Sequence, residues 1–336
     1  MREANPAPLA SIISSETTVR GQEPRPARCV ACLSGSLALR EHAATADVAR
    51  LWADDPAVEA SRAQLSAIIA GGGDRISIYQ CATCGLEMAA PCATWTGDAY
   101  PAQGYYLAFD HAEALARLRH PSGLRLLELG CGDGLFLAAA AGLGHHVTGL
   151  DFARAAVERA RGRGLDARLG DVAALRNDLP GAETFDVVAL FQLLEHVADP
   201  DALFRDLAGV THAGRRIFVG VPAPRRFSRA VGHAERVGST DYWDWPPQHA
   251  LRWTAPALAA FLGGHGWEVE SVRAEPFSLR GAAAYIAAVD GRRGGWYAKP
   301  AHRRLGTAAI AVRLAAARLR APITGIRLFV AARRAR

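Results

Sequence analysis

A buried strand that runs directly into a glycine-rich turn is the feature that most constrains this chain. The segment from Leu124 to Leu129 is apolar except for Arg125 and Glu128, and it continues into Gly-Cys-Gly-Asp-Gly at 130–134 and an apolar helix start at Leu135. Glycines without a β-carbon let backbone N–H groups approach a ligand at the N-terminus of a helix. The segment therefore predicts a nucleotide-binding unit of strand, turn and helix.

The same alternation continues along the chain. Five predicted strands alternate with helices and glycine-containing turns, which favours an α/β fold around a parallel sheet. Two more strands are predicted near the end, the last one antiparallel to its neighbours. The predicted strands lie at 124–129, 146–150, 167–169, 185–191, 215–221, 267–272 and 325–331.

The glycine spacing separates this turn from a dinucleotide-binding turn. A dinucleotide fingerprint is G-x-G-x-x-G, but Leu135 stands where its third glycine would fall, and the pattern from Glu128 to Gly134 is instead E-x-G-x-G-x-G. Together with Asp151, which follows Glu128 by 23 residues, the segment resembles the first motifs of class I S-adenosylmethionine-dependent methyltransferases. That resemblance implies a Rossmann-like seven-stranded sheet, mostly parallel, with the last strand antiparallel.

The resemblance also implies where the cofactor S-adenosylmethionine binds. Asp151 would hold the ribose hydroxyls, although an acid at this position could equally cap the helix predicted at 153–161. Asp171 and the amide of Val172 would read the adenine edge. The full set implied for the cofactor is Glu128, Gly130, Gly132, Gly134, Asp151, Phe152, Asp171, Val172, Phe191 and Gln192.

Glu195 and His196 follow the fourth strand, where such folds place groups that face the transferred methyl. His196 is the candidate general base because imidazole titrates near neutrality, and Glu195 could orient it or bind the acceptor. The alternative is a solvent-facing Glu195 and a His196 that only packs or caps the next turn. His249 could supply a second polar group. Some quinone-precursor relatives bind Mg²⁺ through Glu-x-x-Glu-His, but Gln192 replaces the first carboxylate here, so no catalytic metal is predicted.

Four of the six cysteines form two C-x-x-C pairs, Cys29 with Cys32 and Cys81 with Cys84. Four thiolates at this spacing predict a structural Zn²⁺ site, the alternative being reduced cysteines without metal. The 48 residues between the pairs exceed the roughly 15–20 of a compact zinc ribbon. Apolar residues at helical intervals from Asp47 to Ala70 predict a helical insert there.

The resemblance extends beyond the sheet, over about residues 28–275, to bacterial methyltransferases with an N-terminal zinc-ribbon module. It rests on the cysteine pairs, on Asp98, Tyr100 and the pair Tyr105-Tyr106, and on the segment 246–253 with its prolines and His249. The domains expected are a flexible tail at 1–27, a zinc-ribbon-like module with a helical insert at 28–95, and a methyltransferase domain at 96–336 that includes a helical cap at 276–324.

Three functions fit these features. The first is methyl transfer to an oxygen or carbon of a small molecule such as a sugar, polyketide or polysaccharide intermediate. The second is methylation of nucleic acid, which is disfavoured because the fourth strand ends in Phe-Gln-Leu-Leu-Glu-His and not in an Asn/Asp-Pro-Pro-Tyr signature. The third is cofactor binding without catalysis. Three aromatic residues at 242–245 would either line an acceptor pocket or anchor their own loop.

Charge is divided unevenly along the chain. The net charge is +6, but residues 291–336 hold eleven arginines and Lys299 with no acidic residue, giving +12 there and −6 for residues 1–290. This weakens a nucleic-acid interpretation of the cysteine module. A nucleotide- or carrier-linked acceptor or an anionic membrane surface could contact the basic C-terminus, or its arginines could simply be solvated. The N-terminus has no secretory pattern, so a cytoplasmic location is expected. The oligomeric state stays open.

Overall fold

The computed structural model describes residues 25–53, 74–95, 106–178, 184–231, 236–237, 240–241, 244–283, 285, 300–320 and 322–336. Residues 1–24 of the predicted tail and most of the predicted insert lie outside these ranges, as do Asp98, Tyr100, Tyr105, Tyr242 and Trp243. Among the described helices, none combines the length and apolarity required to cross a membrane.

A seven-stranded sheet forms the centre of the molecule, and it confirms the predicted α/β fold. The order is β12-β13-β8-β7-β4-β5-β6. Strand β13 is antiparallel to both of its neighbours, whereas β8, β7, β4, β5 and β6 run parallel. The strands are β4 Arg125–Leu129, β5 His146–Asp151, β6 Asp166–Leu169, β7 Phe185–Phe191, β8 Thr211–Pro222, β12 Trp267–Ala274 and β13 Arg327–Arg334. Outside this sheet, β9 Arg236–Val237 and β10 Thr240–Asp241 form a short antiparallel pair.

Helices cover both faces of this sheet, as parallel strands require. Successive strand residues point to opposite faces, so Leu126 and Leu127 belong to different cores. Leu126 packs with α2, α3 and α4, and Leu127 packs on the side of α5, α6 and α8. The helices are α1 Thr45–Ala53, α2 Phe109–Arg117, α3 Leu135–Gly142, α4 Arg154–Gly162, α5 Val172–Asp178, α6 Pro200–Ala208, α7 Phe227–Val231, α8 Ala255–Gly264 and α9 Pro300–Arg320.

The cysteine-containing region forms a second, antiparallel sheet. Its strands are β1 Leu37–Ala44, β2 Arg75–Cys81, β3 Glu87–Ala90 and β11 Leu251–Arg252, in the order β1-β2-β3-β11. Strand β11 comes from far along the chain, and Leu251 pairs with Met88. The N-cap residue Thr254 of α8 donates its hydroxyl to the carbonyl of Cys84 at 2.6 Å. The N-terminal module therefore includes backbone from the region after β8.

The C-terminal helix presents a different face from the one its sequence suggests. Apolar residues recur at Leu305, Ala309, Val312, Ala316 and Leu319, which predicts a buried stripe. In the structure Val312 and Leu319 are 70% and 90% exposed, and the buried residues are Ile310 and Leu314 on the other side of the helix. They pack against Phe227 of α7, Ala282 and Ala283. The helix is fixed by this small separate core.

Candidate active site

The glycine turn between β4 and α3 has the backbone conformation that its sequence predicts. Gly130, Gly132 and Gly134 all have positive φ, at 71°, 51° and 74°. A β-carbon at Gly134 would lie 2.5 Å from the Cδ1 atom of Leu165, so packing against the next unit also requires glycine there. The turn brings backbone amides to the carboxyl end of the sheet.

Asp151 closes this turn from the end of β5. Its Oδ2 accepts from the amide of Gly132 at 2.8 Å, and its Oδ1 accepts from the amide of Ala153 at 2.8 Å. Burial raises the pKa of Asp151, and these amides oppose that rise. The adjacent ring of Phe152 is 52% exposed. The ribose contact implied for Asp151 and the cofactor contact implied for Phe152 stay predictions.

Asp171 has a local structural task. Its Oδ1 accepts from the amide of Ala174 at 2.8 Å, so it caps the start of α5, while Val172 is buried in the core. One carboxylate oxygen of Asp171 is thus already bonded to the first turn of α5. The adenine contact implied for Asp171 and Val172 stays a prediction.

Glu128 places an unsatisfied carboxyl group beside the glycine turn. The residue is 3% exposed, and its Oε2 has no hydrogen-bond partner among the described residues. Burial raises the pKa of Glu128 well above its usual value, and the nearby carboxylates of Asp151 and Asp110 raise it further. A buried polar atom without a partner is costly, so this oxygen suits a donor group of a bound ligand.

Asp110 is a buried carboxylate that contacts the residue after β7. It is fully buried at the start of α2, and its Oδ2 accepts from the Nε2 of Gln192 at 3.0 Å. Arg327 on β13 lies 3.4 Å from its Oδ1. Burial opposes ionisation of Asp110, but His111, Arg327 and Gln192 lower its pKa overall. Gln192 is thereby directed toward Asp110, and Phe191 packs its ring 4.8 Å from that of Phe136.

The three predicted catalytic side chains come together. Nitrogen or oxygen atoms of Glu195, His196 and His249 lie within 4.8 Å of one another, and the two imidazole centroids are 5.1 Å apart. The three side chains therefore border one small volume. Glu195 and His196 lie in a short 3₁₀ turn after β7, and His249 reaches them because the amide of Ala250 donates to the carbonyl of Glu195 at 3.0 Å.

Burial determines the protonation of this cluster. Both carboxyl oxygens of Glu195 are buried and have no hydrogen-bond partner among the described residues, and burial raises the pKa of Glu195 to about 8. Burial, followed by the neighbouring His249, lowers the pKa of His196 to about 3. Glu195 is therefore neutral and His196 uncharged near pH 7. The predicted orienting bond from Glu195 is absent at 3.7 Å, and the Nδ1 of His196 bonds instead to the carbonyl of Gln248.

Behind His249 lies a network of buried charges. Asp244 is fully buried, with its Oδ1 3.0 Å from the Nδ1 of His249, and its Oδ2 pairs with Arg226. Arg252 donates to the backbone carbonyl of Asp244 and, at 2.9 Å, to Glu87 on β3. The network connects the cluster to the N-terminal sheet.

The four predicted metal ligands also converge. The Sγ atoms of Cys29 and Cys84 are 3.5 Å apart, as are those of Cys32 and Cys81, and all four lie within 4.8 Å of one another. Zn–S bonds of about 2.3 Å in a tetrahedron place sulfurs about 3.8 Å apart, so the donor set fits Zn²⁺. Burial would raise the pKa of Cys81, but the amides of Cys84 and Thr83 and the neighbouring thiols bring it to about 6.

Sequence reasoning missed Asp110, Asp244, Arg226 and Arg252. Asp244 stands between two tryptophans, five residues before His249. The spacing of this carboxylate and histidine is the signal in the sequence that could have identified the pair. Asp110 and the arginines carry no local signal, because their partners lie elsewhere in the chain.

Known proteins support the class that this fold indicates. Residues 102–272, about half of the chain, match the family model described as a methyltransferase domain. A ubiquinone biosynthesis O-methyltransferase of Xanthomonas euvesicatoria pv. vesicatoria (strain 85-10) is 34% identical over 166 residues, covering 45% of this chain and 65% of that protein. The one from Caulobacter vibrioides (strain ATCC 19089 / CIP 103742 / CB 15) is 33% identical over 194 residues, covering 52% and 70%.

A solved S-adenosylmethionine-dependent methyltransferase from Mesorhizobium loti has 23% sequence identity to the chain and a TM-score of 0.42, over 68% of this chain and 99% of that one. The chain spans just under two thirds of the Xanthomonas relative. The sheet order and the glycine turn define a class I methyltransferase fold. The chain belongs to the S-adenosylmethionine-dependent methyltransferase family, through the domain at 102–272.

Proposed function

We propose that this protein transfers a methyl group from S-adenosylmethionine to an oxygen or carbon of a small-molecule acceptor. The observation that carries the proposal is the proximity of the two turns that hold these side chains. Strands β4 and β7 pair in parallel, with Leu129 opposite Leu190, so the glycine turn after β4 and the turn with Glu195 leave the same edge of the sheet. A β-carbon at Gly130 would lie 3.2 Å from the Cδ1 atom of Leu193, which supports one shared region for the two groups of side chains.

The cofactor side is assigned to Glu128, the glycine turn, Asp151 and Phe152, with Asp171 and Val172 toward the adenine. When bound, the cofactor supplies an electrophilic methyl group on its sulfonium. The chain itself supplies alignment, worth about 7–11 kcal/mol when donor and acceptor are well oriented, together with a proton acceptor.

The acceptor side is assigned to Glu195, His196 and His249. The proton that leaves the acceptor as its new bond to the methyl forms passes to an imidazole nitrogen of this pair, and His196 and His249 are the two candidates. Glu195, neutral near pH 7, can donate a hydrogen bond to the acceptor. Removal of the histidine that acts as the general base is expected to cost about 10²–10⁴-fold in turnover.

Oxygen is the favoured acceptor atom, because the curated relatives are named O-methyltransferases of ubiquinone biosynthesis. Sugars, polyketides and polysaccharide intermediates stay within the proposed substrate class. We also assign a structural Zn²⁺ to the four cysteines, the module boundary to about residue 95, the cap to 276–324 and the location to the cytoplasm.

The test has two stages. Calorimetry with purified protein first measures S-adenosylmethionine binding, and a radiolabelled methyl-transfer screen then covers quinone precursors, nucleotide sugars, polyketide precursors and RNA. Label on a small molecule supports the proposal. Label on RNA with steep salt dependence would support nucleic-acid methylation instead. Cofactor binding with no transfer to any acceptor would favour a non-catalytic role.

A further inference from the structure

Two histidines border the acceptor side, and their hydrogen-bond partners differ in charge. The Nδ1 of His196 meets the neutral carbonyl of Gln248, whereas the Nδ1 of His249 meets the carboxylate of Asp244 at 3.0 Å. Both rings are largely buried, with side-chain exposures of 11% and 12%. His196 and His249 therefore differ in the charge of the group bonded to Nδ1 and not in exposure to solvent.

Asp244 is held as an anion. Burial opposes its ionisation, but Arg226, His249 and Arg252 outweigh burial and hold the pKa of Asp244 well below its usual range. The Nε of Arg229 lies 3.6 Å from the same carboxylate. A carboxylate anion can only accept hydrogen bonds, so the bonded Nδ1 of His249 must carry the proton. The Nε2 of His249 then keeps its lone pair.

The adjacent anion also stabilises the charge that appears when His249 takes a proton. Burial, with the charges of Arg226 and Arg252, lowers the pKa of His249 overall, and Asp244 opposes that shift through its hydrogen bond and its charge. Burial and the neighbouring imidazole of His249 lower the pKa of His196 to about 3, while its bond to the Gln248 carbonyl acts in the opposite direction. An imidazolium is therefore better accommodated at His249.

From this arrangement, and resting on the proposed methyl transfer, we propose that Asp244 is a positioning residue that makes His249 the general base. The Nε2 of His249 takes the acceptor proton as the oxygen–methyl bond forms and the sulfur–methyl bond breaks. The resulting imidazolium is paired with the Asp244 carboxylate, and the sulfonium becomes a neutral thioether. Charge is conserved in the step.

The N-terminal module holds this pair in place. Arg252 joins the carbonyl of Asp244 to Glu87 on β3, and the amide of Ala89 donates to the carbonyl of Ala250 at 2.9 Å. Trp95 donates its indole N–H to the side chain of Gln248 at 3.0 Å. The segment that carries both Asp244 and His249 is thus hydrogen-bonded to the cysteine-containing sheet.

The direct test is ¹⁵N NMR of histidine-labelled full-length protein, with the His249 signals assigned from their loss in His249→Gln. In the wild-type protein His249 is expected as the Nδ1–H tautomer. In Asp244→Asn the side-chain amide can donate to Nδ1, so the proton is expected to move to Nε2. An Nε2–H tautomer in the wild-type protein would overturn the proposal, and this reading does not require Asp244→Asn to fold.

Kinetics provide the second readout. Asp244→Asn is expected to lower kcat by about 10²–10⁴-fold with little change in the Kd of S-adenosylmethionine, and to alter the pH profile of kcat. The groups facing His249 that shape this profile are Asp244, Arg226, Arg252, His196 and Glu195. A merely structural role would lower kcat and cofactor affinity together and leave the profile unchanged, which would count against the proposal.

Asp201→Asn is the matched control, because Asp201 forms an ordinary pair with His265 at 2.8 Å on partly exposed side chains outside this cluster. Kinetics of Asp201→Asn should equal those of the wild-type protein. The same experiments distinguish failure of the proposed function from failure of this inference. If His249 is the Nδ1–H tautomer but the protein methylates no acceptor, the proposed function is wrong and the orientation of His249 by Asp244 still holds. If methyl transfer occurs and Asp244→Asn leaves it unchanged, the proposed function holds and the role of Asp244 is wrong.

Discussion

The two sides of the proposed cleft are built in opposite ways. On the cofactor side, Asp151 has both oxygens bonded to amides of adjacent turns, and its elements follow one another in the chain. On the acceptor side, Glu195 has two oxygens without a partner among the described residues, and the charges that act on it come from Asp110, Arg226 and Asp244. The cofactor side is built from consecutive elements, with one such oxygen on Glu128, while the acceptor side brings together distant segments.

The largest effect confined to one side is expected from Gly134→Val, on the cofactor side. The new side chain meets Leu165 at 2.5 Å and requires a positive φ that valine avoids. We expect at least about a 10²-fold loss of S-adenosylmethionine affinity by calorimetry, with the His249 tautomer unchanged. Gly142→Ala, where no atom lies within 4 Å of the new β-carbon, is the control and should bind normally. Normal binding by Gly134→Val would remove the turn from the cofactor site.

His249→Gln is expected to affect only the acceptor side, lowering kcat by about 10²–10⁴-fold with cofactor affinity retained. His196→Ala is the comparison, since the sequence alone points to His196 as the base. If Asp244 makes His249 the general base, His196→Ala should lower kcat less than His249→Gln does. A larger loss in His196→Ala would restore the interpretation drawn from the sequence.

Metal removal tests whether the acceptor side depends on the module. Metal analysis should find about one zinc per chain, and less than about half after metal-replete purification would argue against the site. Cys29→Ser is expected to release the metal and lower kcat, because Thr254 and Arg252 connect the cysteine sheet to the histidine segment. Cofactor affinity should change much less. Cys92→Ser, outside the four-sulfur cluster, is the control.

A smaller effect is expected on stability, from the raised pKa of Glu195. The folded protein keeps this carboxyl protonated up to about pH 8, whereas the unfolded chain ionises it near 4.5. The contribution of Glu195 to the free energy of unfolding is therefore fully present below pH 4.5 and is lost as the pH rises toward 8. The Tm of Glu195→Gln should match that of the wild-type protein near pH 5 and exceed it at pH 9. A pH-independent difference would mean that the pKa of Glu195 is the same in the folded and unfolded states.

The smallest effect is expected from the basic C-terminal helix. Reversing Arg313, Arg318 and Arg320 should raise the acceptor KM or abolish sedimentation with anionic vesicles, if these charges contact a linked phosphate or a membrane. Arg318 already lies 5.4 Å from the ring of Phe277, which is a structural role. If neither measurement changes, the arginines serve solubility.

This difference between the sides also explains what the sequence could predict. Glu128, the glycines and Asp151 lie within one strand–turn–helix unit and the next strand, so their spacing alone places them together. The pairing of Glu87 with Arg252 spans 165 residues and joins a strand of only two residues, β11, to β3. No periodicity marks such a short strand. The convergence of His196 with His249 was likewise beyond the sequence, because it depends on where segment 244–253 is anchored.

The insertion of β11 into the N-terminal sheet has a consequence for inheritance. Exchanging modules between relatives at a cut near residue 95 would separate β3 from the strand that completes its edge and Glu87 from Arg252. A recombinant would retain its acceptor chemistry only if residues 244–254 were exchanged together with the cysteine region. The two segments, distant in the gene, therefore form a single unit on which selection for a new acceptor must act.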